Sequence, residues 1–137
     1  MEKEEITPSE WQIMEVLWAS DAPLTSSEVY KRMQGSVDMS QRMVRVLMNR
    51  LNSKDILGYT VDEHDSRVYH YYVQKPKDEC VKEKSRRFVD NYFSGSGTNA
   101  MTALLRSFVL TDEQIKELED ILESSKERRN ESPNKEG

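Results

Sequence analysis

The sequence predicts a mainly α-helical chain with one small β-hairpin, built as a three-helix-plus-hairpin domain followed by C-terminal helices. Three observations carry this. Apolar residues recur at helical spacing in six separate stretches, several of them opened by a capping serine or threonine. Between the third and fourth stretches the period drops to that of strands. Pro76 then marks a boundary, which divides the chain into residues 1–75, 76–124 and a polar remainder, 125–137.

Thr7-Pro8-Ser9-Glu10 reads as a helix start, with Thr7 as cap, Pro8 at the first helical position and Glu10 closing a capping box. Trp11, Met14, Val16, Leu17 and Trp18 supply the apolar stripe of a helix over about 8–20. Asp21-Ala22-Pro23 ends it. Thr25-Ser26-Ser27-Glu28 repeats the capping box and opens a short second helix through Val29, Tyr30 and Met33, stopping near Gly35. Ser40 caps a third, whose buried stripe is Val44, Leu47, Met48 and Leu51 at i, i+3, i+4, i+7. Asp55 to Gly58 closes it. Tyr59-Thr60-Val61 and Val68 to Val73 then flank a polar tip, residues 62–66, as a hairpin rich in β-branched and aromatic residues. Three helices followed by a hairpin is the order of a winged helix-turn-helix domain.

Beyond Pro76, Lys77 to Phe93, Asn99 to Val109 and a Thr111-capped segment are predicted helices, the first two separated by Ser94-Gly95-Ser96-Gly97. They are too few and too short to enclose a core alone. Mutual burial in a homodimer is the economical reading, through Val81, Phe88, Tyr92, Leu104, Leu105, Phe108, Ile115, Leu118, Ile121 and Leu122. From about Ser125 the chain is polar and is expected to be frayed or disordered.

Composition narrows the functional classes. No apolar run approaches the ~18 residues needed to cross a bilayer, and Met1 to Glu5 is acidic rather than signal-peptide-like, so a cytoplasmic protein is expected. Cys80 is the single cysteine, which excludes an intrachain disulfide and a cysteine metal cluster. No Gly-rich phosphate loop, nucleophile-plus-base set or paired carboxylates stand out, so neither an enzyme nor a cofactor is implied. The net charge of −5 argues mildly against nucleic acid, but local charge governs phosphate contact. From Met39 to Lys54 there are four basic residues and no acid, in a domain that is otherwise acidic.

On a helical wheel the face opposite the third helix's stripe collects Arg42, Arg45, Asn49 and Asn52. Arginine suits phosphates and guanine edges, and asparagine pairs with adenine in the major groove. A recognition helix reads bases mainly with its N-terminal half, so the candidate contacts are Ser40, Gln41, Arg42, Met43, Arg45, Val46 and Asn49, the methionine and valine as partners for thymine methyls. Charged helix faces are also common on ordinary solvated helices; the helix-helix-helix-hairpin order is what favours DNA. Arg67, beside the hairpin tip, is a candidate phosphate or minor-groove contact or else a cross-strand partner of Asp62, Glu63 or Asp65. The acidic tip is unfavourable toward phosphate. His64 and His70 lack a third well-spaced ligand and read as surface residues, Trp11 and Trp18 as core, and Cys80 as a quiet helix residue.

These residues resemble the penicillinase-repressor family of bacteria, which includes the β-lactamase, methicillin-resistance and copper-transport repressors. The resemblance runs through Ile6 to Trp18, Thr25 to Val29, Ser40 to Leu57, the wing Ser66-Arg67-Val68-Tyr69-His70-Tyr71, and the tail segments Ala103 to Phe108 and Leu110 to Leu118. It implies a homodimeric repressor on a palindromic operator of the TACA…TGTA type, with an N-terminal DNA-binding domain and C-terminal dimerisation helices. Family recognition helices often carry threonines where this chain has Met43 and Val46, and a neutral polar residue at Arg45. Copper-responsive members have Cys-x-Cys motifs in the tail, absent here. β-Lactam-responsive members are cleaved at an Asn-Phe bond, for which the matching bond is Ser107-Phe108. The inducing signal is left open between a protease and another trigger. The competing reading from another class is a winged helix used for protein–protein contact without DNA.

Overall fold

A computed structural model of the chain describes residues 5–131. They divide into two compact units that meet between Phe88 and Val89.

The first unit opens with α1 (Pro8–Trp18), α2 (Ser26–Met33) and α3 (Gln41–Ser53). Each begins where its cap dictates. Thr7 Oγ1 accepts from the Glu10 N–H at 3.2 Å while Glu10 Oε1 accepts from the Thr7 N–H at 2.9 Å. Thr25 and Glu28 repeat the reciprocal pair at 3.1 and 2.8 Å. Ser40 Oγ takes the Met43 N–H at 3.0 Å. Satisfying these otherwise orphaned amides contributes about 0.5–2 kcal/mol per helix start.

The hairpin is antiparallel, β1 (Leu57–Val61) with β2 (Tyr69–Val73), in the register Leu57 opposite Val73 through Val61 opposite Tyr69. β1 begins two residues before the aromatic run, because Leu57 and Gly58 pair with Val73 and Tyr72. The Tyr72 ring lies across Gly58, so close that a Cβ there would stand 2.5 Å from it. Leu24, just ahead of α2, exchanges both backbone hydrogen bonds with Tyr71 at 3.0 and 2.8 Å and pins the hairpin to the helices. At the tip, Asp62 Oδ2 accepts the N–H groups of His64 and Asp65, an Asx turn that shapes residues 62–66.

The core lies where α1, α2, α3 and the hairpin meet. Ile13, Met14 and Leu17 from α1, Val29 and Met33 from α2, and the whole α3 stripe are buried together with Leu24, Ile56, Leu57 and Tyr71. At about 1.5–3 kcal/mol for each large buried side chain, the stripe fixes which side of α3 faces outward. Trp11 and Trp18 pack edge-to-face at 5.1 Å against this core, half-buried. Trp18 Nε1 donates to the Lys75 carbonyl at 3.1 Å.

α4 (Lys77–Phe93) begins in the same unit. Cys80 is buried, and that burial pushes its thiol pKa up, so it is a poor source of thiolate. Lys84 Nζ reaches the Ile6 carbonyl at 2.6 Å and Glu5 Oε2 at 3.0 Å, which ties α4 back to the entry of α1. The Glu5 carboxyl is held below the usual range chiefly by that Lys84 hydrogen bond.

The second unit holds the end of α4, α5 (Gly97–Ser107) and α6 (Asp112–Glu131). α4 ends through Ser94 and Gly95, both at positive φ. α5 starts at Gly97 rather than Asn99 because Ser96 supplies the cap, its Oγ accepting from the Asn99 N–H. Thr111 and Gln114 form the reciprocal cap of α6. The polar stretch from Ser125 is not frayed as expected: α6 continues through it to Glu131. That stretch contains no glycine or proline, and Arg128 and Arg129 suit the negative end of the helix dipole. Met1 to Glu4 of the acidic start and residues 132–137 of the expected tail lie outside the described residues. Within the second unit, Ala100 is buried, and no residue of α6 is. Among the described residues no helix is long and apolar enough to cross a membrane.

Candidate nucleic-acid interface

With Val44, Leu47, Met48 and Leu51 turned inward, α3 presents Gln41, Arg42, Met43, Arg45, Val46 and Asn49 to the outside. Met43 and Val46 are 46% and 38% exposed, unusual for apolar side chains. Ser40 is exposed as well, but its hydroxyl is occupied as the cap of α3.

A groove of about 520 Å³ runs beside this face. Its walls are Thr25, Ser26 and Ser27 at the start of α2, Gln41, Arg45 and Asn49 of α3, and Arg67, Val68, Tyr69 and Tyr71 of the hairpin. The fold therefore brings four sequence candidates, Gln41, Arg45, Asn49 and Arg67, into one groove. Ser40, Arg42, Met43 and Val46 stand outside its lining, on the exposed surface of α3. Sequence reasoning missed the α2 start and both tyrosines. The capping box at Thr25 was a visible signal for the first, since a helix start aims unpaired amides and a partial positive charge outward. No local pattern announces Tyr71, whose hydroxyl donates to Asn49 Oδ1 at 2.9 Å across 22 residues of sequence.

The charges sort into used and unused. Among the described residues Arg42, Arg45 and Arg50 enter no ion pair. Lys54, the fourth cation of the basic stretch, is not part of this surface. Its Nζ lies 2.6 Å from Glu10 Oε1 and 2.8 Å from the Glu5 carbonyl, closing the base of α3 onto α1. Arg67 pairs with Asp65, Nε to Oδ1 at 3.1 Å and Nη2 to Oδ2 at 3.3 Å, within the turn rather than across the strands. That pairing, first through the side-chain hydrogen bond, holds the Asp65 carboxyl below its usual range. Asp62 is likewise held low, chiefly by the His70 ring 2.8 Å away. The acidic tip thus carries its own counter-charges. Arg67 keeps an exposed guanidinium edge at the groove mouth, since its side chain is 88% exposed.

Of the proposed tail contacts, Val81, Leu104, Leu105, Ile115, Leu118, Ile121 and Leu122 are exposed in the single chain, as are Phe88 and Tyr92. Ser107 ends α5 with its hydroxyl on the Ala103 carbonyl, and Phe108 is extended and 63% exposed.

Three helices, a hairpin wing and an outward cationic face on the third helix define a winged helix-turn-helix transcriptional regulator. The chain belongs to the penicillinase repressor family, whose sequence profile matches residues 6–124. Two similar proteins are both named penicillinase repressor. The one from Staphylococcus aureus is 24% identical over 119 residues, 86% of this chain and 90% of its own. The one from Bacillus licheniformis is 25% identical over 127 residues, 93% and 96%. Similar solved structures include a MepR–DNA complex from S. aureus, at 21% identity, 77% of this chain, 80% of that one and a TM-score of 0.47. Another is BpsR of Bordetella bronchiseptica, at 20% identity, 75%, 79% and 0.48. The family is one of transcriptional repressors, not of enzymes.

Proposed function

We propose that this repressor acts as a homodimer, each copy laying α3 in the major groove of one half of a palindromic operator. The observation that carries the reading is the groove in which Gln41, Arg45, Asn49 and Arg67 converge beside an α3 face whose arginines have no acidic partner. Arg42 and Arg45 supply phosphate or guanine contacts, Gln41 and Asn49 polar base contacts, Met43 and Val46 apolar contacts to thymine methyls. Family membership supports an operator of the TACA…TGTA type, with base preference altered around Met43, Arg45 and Val46. The exposed apolar side chains of α5 and α6 support dimerisation, because a second copy would remove them from water. The exposed, extended Phe108 makes the Ser107-Phe108 bond the candidate point for proteolytic release.

Duplex binding measured against salt tests the reading. Phosphate contacts require a steep loss of affinity from low to moderate salt. Arg42→Ala and Arg45→Ala should each cost roughly 1–3 kcal/mol if the arginine reads a base. Absence of binding to any duplex at low salt would leave the protein-contact reading instead.

A further inference from the structure

The hydrogen bond between the wing and the recognition helix decides what Asn49 can offer a base. A free asparagine amide presents an acceptor and a donor side by side, the pattern that pairs with adenine N6 and N7. In this chain Asn49 Oδ1 receives the Tyr71 hydroxyl at 2.9 Å, which leaves the Nδ2 group as the part of the amide with free hydrogens. Both residues line the same groove.

Tyr71 is built to hold this arrangement. It is 3% exposed, so a hydroxyl without a partner would be costly there. Its backbone is fixed on two sides, paired with Tyr59 in the hairpin and with Leu24 ahead of α2. Its ring is flanked by Tyr59 and Tyr69 at 6.1 and 6.2 Å, which themselves stack at 4.3 Å. Burial, followed by those two neighbouring phenols, raises its pKa, so it is a protonated donor at neutral pH.

We propose that Tyr71 is a specificity-determining positioning residue: by occupying Asn49 Oδ1 it makes Asn49 a donor-only reader that favours acceptor edges, guanine N7 and O6 above all, over adenine. This rests on the reading of α3 as the DNA-contacting helix. It requires no contact between Tyr71 and the base. The wing would then contribute to sequence choice through α3 as well as through Arg67.

The test uses the full chain and a pool of randomised duplexes to find its preferred site, followed by affinities for every single base-pair change. Asn49→Ala locates the base pairs that depend on Asn49. At those positions the native chain should prefer guanine to adenine by roughly fivefold or more. Tyr71→Phe, which removes only the hydroxyl, should shift that preference toward adenine by a comparable factor and leave the other positions unchanged. A native preference for adenine at the Asn49-dependent pairs would overturn the proposal even if Tyr71→Phe failed to fold. So would a Tyr71→Phe chain that loses affinity equally for all sequences, the mark of a merely structural role. Asn49→Ala without effect on any base pair would overturn it too. If the native chain bound no duplex, the failure would lie with the DNA-binding reading itself.

Discussion

Lys54→Ala separates charge that faces DNA from charge that holds the fold. In sequence Lys54 continues the run of Arg42, Arg45 and Arg50, and its removal looks like the loss of a phosphate contact. In the structure its ammonium is 2.6 Å from Glu10 Oε1, with the lysine side chain 16% exposed and the glutamate side chain 1%. Glu10 Oε1 also accepts the Thr7 N–H, while Oε2 is buried and has no protein partner. Deleting Lys54 strands a buried carboxylate on a single amide, and removes the bond to the Glu5 carbonyl. Breaking a buried pair typically costs about 3–5 kcal/mol. The surviving Thr7 bond and the partial access of water at the lysine end place this case near the lower limit, about 3 kcal/mol. Equilibrium urea unfolding at fixed protein concentration measures it, the concentration being fixed because association is linked to stability. Affinity for duplex DNA, measured where the variant is folded, should keep the native salt slope, whereas Arg45→Ala should flatten that slope by about 0.9 if it contacts a phosphate. Replacing the pair together, Glu10→Gln with Lys54→Met, should recover most of the loss, since no ion is then left alone. A Lys54→Ala chain of native stability with a shallower salt slope would refute this placement of Lys54.

Three further outcomes are expected. Because the folded pKa of Asp62 is depressed, mainly by its hydrogen bond with His70, the stability it contributes is present above its ordinary value of 3.8 and lost as pH falls through the lower folded value. Melting temperatures followed through that acid range should therefore fall less steeply for Asp62→Asn than for the native chain; identical curves would count against the linkage. Leu105→Glu combined with Ile121→Glu places charges among the exposed apolar residues of α5 and α6 and should give a monomer by light scattering, with operator affinity reduced at least tenfold by the loss of the second half-site. An intact dimer would remove those faces from the interface. Met48→Ala, at a fully buried position of the α3 stripe, should cost 2–5 kcal/mol in unfolding experiments; a change below 1 kcal/mol would mean that α3 is not seated as described.

The wing shows how net charge misleads. Residues 62–66 read as an acidic tip hostile to phosphate, yet Asp62 and Asp65 are turned to backbone amides, His70 and Arg67. Their negative charge is spent on shaping the turn, and Arg67 is left at its exposed edge. The same turn sets Val68 and Tyr69 along the groove wall.

Local chemistry made much of this protein legible from sequence. The capping boxes at Thr7 and Thr25 and the cap at Ser40 locate helix starts because a capping side chain bonds within three residues of itself. The Val44, Leu47, Met48 and Leu51 stripe orients α3 because one face of a helix must leave water, and the opposite face follows by geometry. The hairpin is visible because alternation has a short period. What only the tertiary structure decided is which polar group finds which partner. Lys54 is drawn away from the basic face by Glu10, 44 positions distant, and Tyr71 commits one side of the Asn49 amide from 22 positions away. Neither pairing has a local signature, since both depend on where packing brings separate elements together. The candidate reading face is thus written in the periodicity of α3, while the number of its free charges and the chemistry Asn49 can offer are set by the helices and wing packed around it.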